Sequence, residues 1–250
     1  MPPLLRSLLL VLLLLPALAH GAFSLDHARR ARAMLGEETW SRIVEVENTN
    51  RESVYPSSLH ALVFELGGIL WFYSDTDGTQ SFSLHRNNLA AEKADFAPLL
   101  RAIEPGFANH AILGDEEIAA LPPLEADETP LPNGCFIDSY AALRRRVAQG
   151  ELILGARLLS FYVGGRRAGH TVLTYETPRG LFVLDPAAGQ KPKRVDREKG
   201  EDALAIARSL VPGVPIVQAR WVPALVRIEG PLLAAVGESR RPRDQTRTLQ

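Results

Sequence analysis

Short blocks of aliphatic and aromatic residues, split by a single glycine pair, stand out in the first half of the chain. Leu62–Leu66, then Gly67-Gly68, then Ile69–Tyr73 predict two strands joined by a tight hairpin turn. Asp77-Gly78 marks a second turn, with a third strand near Thr79–Leu84. Two helices flank this meander. A short basic one covers His27–Leu35, with Arg29, Arg30 and Arg32 on its solvated side. The other runs over Leu89–Ile103, its apolar stripe carried by Phe96, Leu99, Leu100 and Ile103.

Asp115–Pro132 is acidic and contains Pro122, Pro123, Pro130 and Pro132, which predicts a linker or surface loop. Beyond it the pattern gives a helix over Cys135–Gln149, a strand near Arg157–Val163 and a hairpin spanning His170–Asp185. A helix near Asp202–Leu210 and strands near Ile216–Val222 and Leu225–Ile228 follow. Glu238–Gln250 is polar and basic without apolar periodicity, as expected of a disordered tail. The expected organisation is an α/β meander region (20–115), a linker (116–132), a compact core (133–237) and a tail (238–250).

Met1–Ala19 has a different pattern. Arg6 precedes an apolar run from Leu8 to Leu15, Pro16 breaks it, and Ala17-Leu18-Ala19 supplies a small-x-small cleavage site. This is the layout of a secretory signal peptide, and the run is far shorter than the ~20 residues a membrane span needs. The expectation is an exported protein, periplasmic or extracellular, with no stable membrane insertion after cleavage.

Composition narrows the possible functions. In 250 residues, 28 Lys+Arg balance 29 Asp+Glu, leaving no basic excess with which to neutralise a phosphate backbone. No nucleic-acid partner is expected. His20, His27, His60, His85 and His110 show no metal-ligand spacing, and no metal or other cofactor is expected. The single cysteine, Cys135, excludes an internal disulfide. In an exported protein a lone thiol is either an inert core residue or one kept for chemistry.

The sequence around Cys135 bears on that choice. Phe136, Tyr140, Leu143 and Val147 form one apolar stripe, so Cys135 falls in the first turn of its helix, with Asn133-Gly134 as capping and turn residues. There, unpaired backbone N–H groups and the helix dipole favour thiolate and can stabilise an oxyanion. A hairpin centred on Pro178-Arg179 puts Asp185 opposite Val172, which shares a face with His170. His170 and Asp185 are then diagonal neighbours, roughly 7 Å apart at Cβ and within hydrogen-bonding reach. Cys135, His170 and Asp185 thus offer a nucleophile, a general base and a carboxylate that orients the base.

The stretch from Cys135 to Pro186 resembles the core of transglutaminase-like and papain-like cysteine peptidases. The resemblance rests on Gly134-Cys135-Phe136, Gly155-Ala156-Arg157, Gly169-His170 and Asp185-Pro186. Asp185-Pro186-Ala187-Ala188-Gly189 is also similar to the Asp-Pro-x-x-Gly end of bacteriocin-processing leader peptidases. It implies an α+β fold with an antiparallel sheet packed on the cysteine-bearing helix, preceded here by the small meander. It also implies catalytic Cys135, His170 and Asp185, with Asn133 the nearest candidate for the oxyanion side chain. The expected function is an exported cysteine hydrolase acting on a peptide, protein or cell-wall peptide through a thioester. The alternatives are a crosslinking transglutaminase, a structural partner in an envelope complex, or a non-catalytic binding module using an exposed aromatic among Trp71, Phe72 and Tyr73.

Overall fold

A computed structural model describes residues 24–81, 93, 95–124, 129–164, 169–189, 191–196 and 202–222. The predicted signal segment, His20, His85, the strand at Leu225–Ile228 and the tail from Glu238 lie outside the described residues. The protein is α+β, with two five-stranded antiparallel sheets and five helices among those residues.

Helix α1 covers residues 24–35. The first sheet follows: β1 (Ser41–Asn48), β2 (Ser58–Leu66), β3 (Ile69–Ser74), β4 (Gly78–Ser81) and, after helix α2 (Ala97–Ile103), β5 (Phe107–Ile112). Its strand order is β4-β3-β2-β1-β5. The Gly67-Gly68 turn is as the sequence predicts: both glycines have φ above +60°, and β2 pairs β3 with Leu66 opposite Ile69. Helix α2 begins at Ala97, where the Asp95 carboxylate accepts from the Ala97 N–H; residues 89–92 and 94 of the predicted helix lie outside the described residues.

After helix α3 (Asp115–Ala120) and helix α4 (Cys135–Ala148) comes the second sheet, of order β10-β6-β7-β8-β9. Its strands are β6 (Gly155–Val163), β7 (Gly169–Thr177), β8 (Gly180–Leu184), β9 (Lys193–Val195) and β10 (Ile216–Trp221), with helix α5 (Ala203–Leu210) before the last. Asp202 caps α5 by accepting from the Leu204 and Ala205 N–H groups.

Burial explains the layering. One face of the first sheet (Val44, Ala61, Val63, Phe72) packs on Phe96, Leu99 and Leu100 of α2 and its lead-in. The other face (Ile43, Leu62, Phe64, Trp71) packs on α4 and, through it, on Leu158 and Leu173 of the second sheet. The far side of the second sheet is covered by α5 through Ile206 and Ala207. Helix α4 therefore lies between two sheets. Its first two turns are buried nearly all round, over Phe136–Ser139 and Ala141–Leu143, rather than along the single predicted stripe. Residues from both sides of the predicted linker share this core.

Three expectations need correction. Asp115–Ala120 is helical rather than a linker, and the Glu117 carboxylate accepts from the Gly114 N–H at 2.7 Å. Arg29, Arg30 and Arg32 are not merely solvated. They hold the Pro122 carbonyl, the Thr129 carbonyl and the Asp115 carboxylate, binding the proline-rich segment to α1. Trp71, Phe72 and Tyr73 are all buried, the most exposed of them at 6%, because both faces of their sheet are covered. No exposed aromatic of β3 is available for a partner. No described helix is long and apolar enough to cross a membrane.

Candidate active site

The β7–β8 hairpin adopts the register that its turn implies. Thr177 pairs Gly180 and Leu173 pairs Leu184, so Pro178-Arg179 is the two-residue turn. Asp185 follows the last residue of β8, on the side of the ribbon that carries His170. The diagonal contact closes: Nε2 of His170 and Oδ2 of Asp185 are 2.7 Å apart. The second carboxylate oxygen accepts from the Ala188 N–H at 3.2 Å, and the Gly189 N–H donates to the Pro186 carbonyl at 3.0 Å. The Asp-Pro-x-x-Gly sequence is thus a turn that fixes its own aspartate. Phe161, directly opposite His170 on β6, meets the imidazole edge-on at 5.4 Å between centroids.

Cys135 opens α4 and is half-buried. Burial alone works against a charged His170 ring, but its hydrogen bond to the Asp185 carboxylate and its interaction with Cys135 outweigh it. Together they raise the imidazole from its ordinary 6.5 to about 10. With Nε2 engaged by Asp185, Nδ1 is the ring nitrogen left for the sulfur. The Ser139 hydroxyl, one turn after Cys135, donates to the Thr171 carbonyl at 3.1 Å, tying helix to strand beside His170.

No side chain caps α4, contrary to the role expected of Asn133. Asn133 instead sits at φ +52°, and its Nδ2 donates to the Asp75 carbonyl at 2.7 Å and the Thr76 carbonyl at 3.1 Å. Both amide hydrogens are committed to the β3–β4 turn, so Asn133 does not serve as an oxyanion donor either. The first-turn N–H groups of α4, which have no intrahelical acceptor, are the donors beside the sulfur.

Sequence reasoning missed what holds this loop in place. The Tyr73 hydroxyl donates to the Pro132 carbonyl at 2.9 Å. Asp138, only 4% exposed, accepts from the Leu131 N–H through Oδ1, while Oδ2 is buried without a hydrogen-bond partner. Burial pushes the Asp138 carboxyl up to about 6, against the lowering effects of the Leu131 N–H and Arg145. The Asp77-Gly78 turn signal was legible, but its contact with residue 133 lies across more than fifty positions and leaves no local trace.

Cys135 and His170 line a cleft of about 740 Å³ between the β3–β4 turn and the edge of the second sheet. Thr76 to Gln80 form one wall, and Ser160, Tyr162, Thr171 and Arg220 the other. Among the described residues no group of three or more His, Cys, Asp or Glu could hold a metal. His27 pairs with Asp75 at 2.9 Å, and the His60 ring lies 3.3 Å from the Ser24 hydroxyl. Comparison of the chain with protein-family models, curated proteins and solved structures gives no match.

Proposed function

We propose that the protein is an exported cysteine hydrolase, a peptidase or amidase whose Cys135, His170 and Asp185 act as a triad on a core of papain-like or transglutaminase-like type. One observation carries this reading. A histidine held at 2.7 Å by a fixed aspartate interacts with the only cysteine in the chain, at the start of a helix and in an open cleft. The chain order of nucleophile, base and acid, and the helix-on-sheet arrangement, support the resemblance. Export rests on the signal-peptide layout of Met1–Ala19.

The chemistry follows from the geometry. His170 takes the proton of the Cys135 thiol as the sulfur becomes the nucleophile. The sulfur attacks the substrate carbonyl, an S–C bond forms, and the first-turn N–H groups of α4 stabilise the tetrahedral oxyanion. As the intermediate collapses the C–N bond breaks, and His170 gives its proton to the departing amine. Water then enters, His170 takes one of its protons, and the thioester is cleaved to free acid and thiolate. Asp185 keeps the ring in the tautomer and orientation that both steps require.

Iodoacetamide kinetics test the nucleophile. Cys135 is expected to react at least tenfold faster than a free thiol at neutral pH, and His170→Ala to remove most of that advantage, in the range of positioned acid–base groups. Equal rates in wild type and His170→Ala would overturn the triad. Release of p-nitroaniline from a peptide anilide panel, abolished in Cys135→Ser, tests turnover. Incorporation of a fluorescent primary amine would instead point to acyl transfer to an amine.

A further inference from the structure

On one face of the second sheet, strand register stacks residues in rows. Val222, Leu158 and Leu173 make one row, buried in the core under α4. The next row is Arg220, Ser160 and Thr171, each directly paired with its neighbour. It is entirely polar and lines the cleft. Polarity changes at the level where α4 begins and stops covering the sheet.

Ser160 and Thr171 satisfy one another, their hydroxyl oxygens 2.9 Å apart. Arg220 has no such arrangement. It is exposed, makes no ion pair among the described residues, and is the only lysine or arginine among the described residues lining the cleft. The carboxylate on the facing wall, Asp77, is engaged by the Tyr55 hydroxyl at 3.1 Å and the Gln80 amide at 2.6 Å.

We propose that Arg220 is a specificity residue that binds a carboxylate of the substrate, so that the cleft selects acidic peptides; this rests on the triad reading of Cys135. Guanidinium is the side chain best matched to carboxylate, through paired N–H donors. The strand β10 lies two strands from the one bearing His170, about 10 Å at the backbone. Extended peptide advances about 3.4 Å per residue. The recognised carboxylate therefore falls about two or three residues from the bond attacked.

A matched pair of thiol reagents reads this directly in the full chain: N-iodoacetyl-glycyl-glutamate α-amide and its glutamine counterpart, which place a carboxylate or a neutral amide on the second residue from the reacting carbon. In each the sulfur displaces iodide, so the rate ratio cancels any change in the reactivity of Cys135 itself. Wild type is expected to favour the glutamate reagent by about threefold or more, the size of one partly exposed charge pair. Arg220→Lys keeps much of the preference, Arg220→Gln removes it and Arg220→Glu inverts it. High salt narrows it. A ratio near one in wild type, or one unmoved by Arg220→Gln, overturns the proposal and leaves Arg220 as a solvated charge on an edge strand. The ratio can be read whether Cys135 is fast or slow, so it fails independently of the His170→Ala test.

Discussion

Gly78 packs so closely on Asn133 that a β-carbon on it would sit 2.7 Å from the Asn133 carbonyl oxygen. Gly78 also holds φ +76°, a conformation that favours glycine. The turn of the first sheet thus presses on the residue two before Cys135. Gly78→Ala is expected to cost about 1–3 kcal/mol in urea denaturation through strain and clash together, and to slow alkylation of Cys135 several-fold. Gly68→Ala is the control. Gly68 has a similar φ of +71° but open space where the methyl would go, so it should lose stability without altering Cys135.

The His170–Asp185 pair predicts a direction of pH dependence. A base whose proton is held more tightly in the folded state stabilises that state fully below its unfolded value, about 6.5, and loses the contribution as pH rises toward about 10. Urea midpoints of wild type should therefore fall more steeply across that window than those of Asp185→Asn. Parallel slopes would deny the pair its ionic character.

Asp138 predicts a second loss of stability with rising pH, in a more acidic window. Its folded value of about 6 lies above the ordinary 3.8, so the folded state binds the extra proton between those values. Stability falls as pH climbs through that interval, by about 3 kcal/mol in all. Asp138→Asn keeps an oxygen for the Leu131 N–H and cannot ionise. Its stability should hold flat from pH 4 to 6, where wild type declines.

Phe136 anchors α4 between the sheets, its ring 4.6 Å from that of Trp71 and 6.2 Å from that of Phe64. Phe136→Ala should cost about 3–5 kcal/mol, as expected for emptying a buried aromatic site. Phe136→Leu should cost markedly less. Chemical denaturation measures both.

Local signals made much of the site legible. Two-residue turns at Gly67-Gly68 and Pro178-Arg179 fix register, and register alone brings His170 to Asp185. The Asp202 cap and the start of α4 at Cys135 are likewise local features. Strands β1 and β5 carry weaker local signals. β1 mixes charged residues into its run, and β5 is mostly exposed at a sheet edge. Asn-Gly before a helix suggests a cap, whereas the Asn133 amide is claimed by carbonyls from a turn far away in sequence. The arginines of α1 look like a solvated face until the proline-rich segment folds back to meet them. Contacts of that kind depend on tertiary approach, and no periodicity encodes them.

The position of α4 has a bearing on dissection of the chain. Cut within residues 125–128, the chain would yield a front piece with the unsheltered apolar face of one sheet and a rear piece whose Cys135 helix had lost half its cover. Neither fragment would hold Cys135 in place alone, and the two would have to reassociate to restore it.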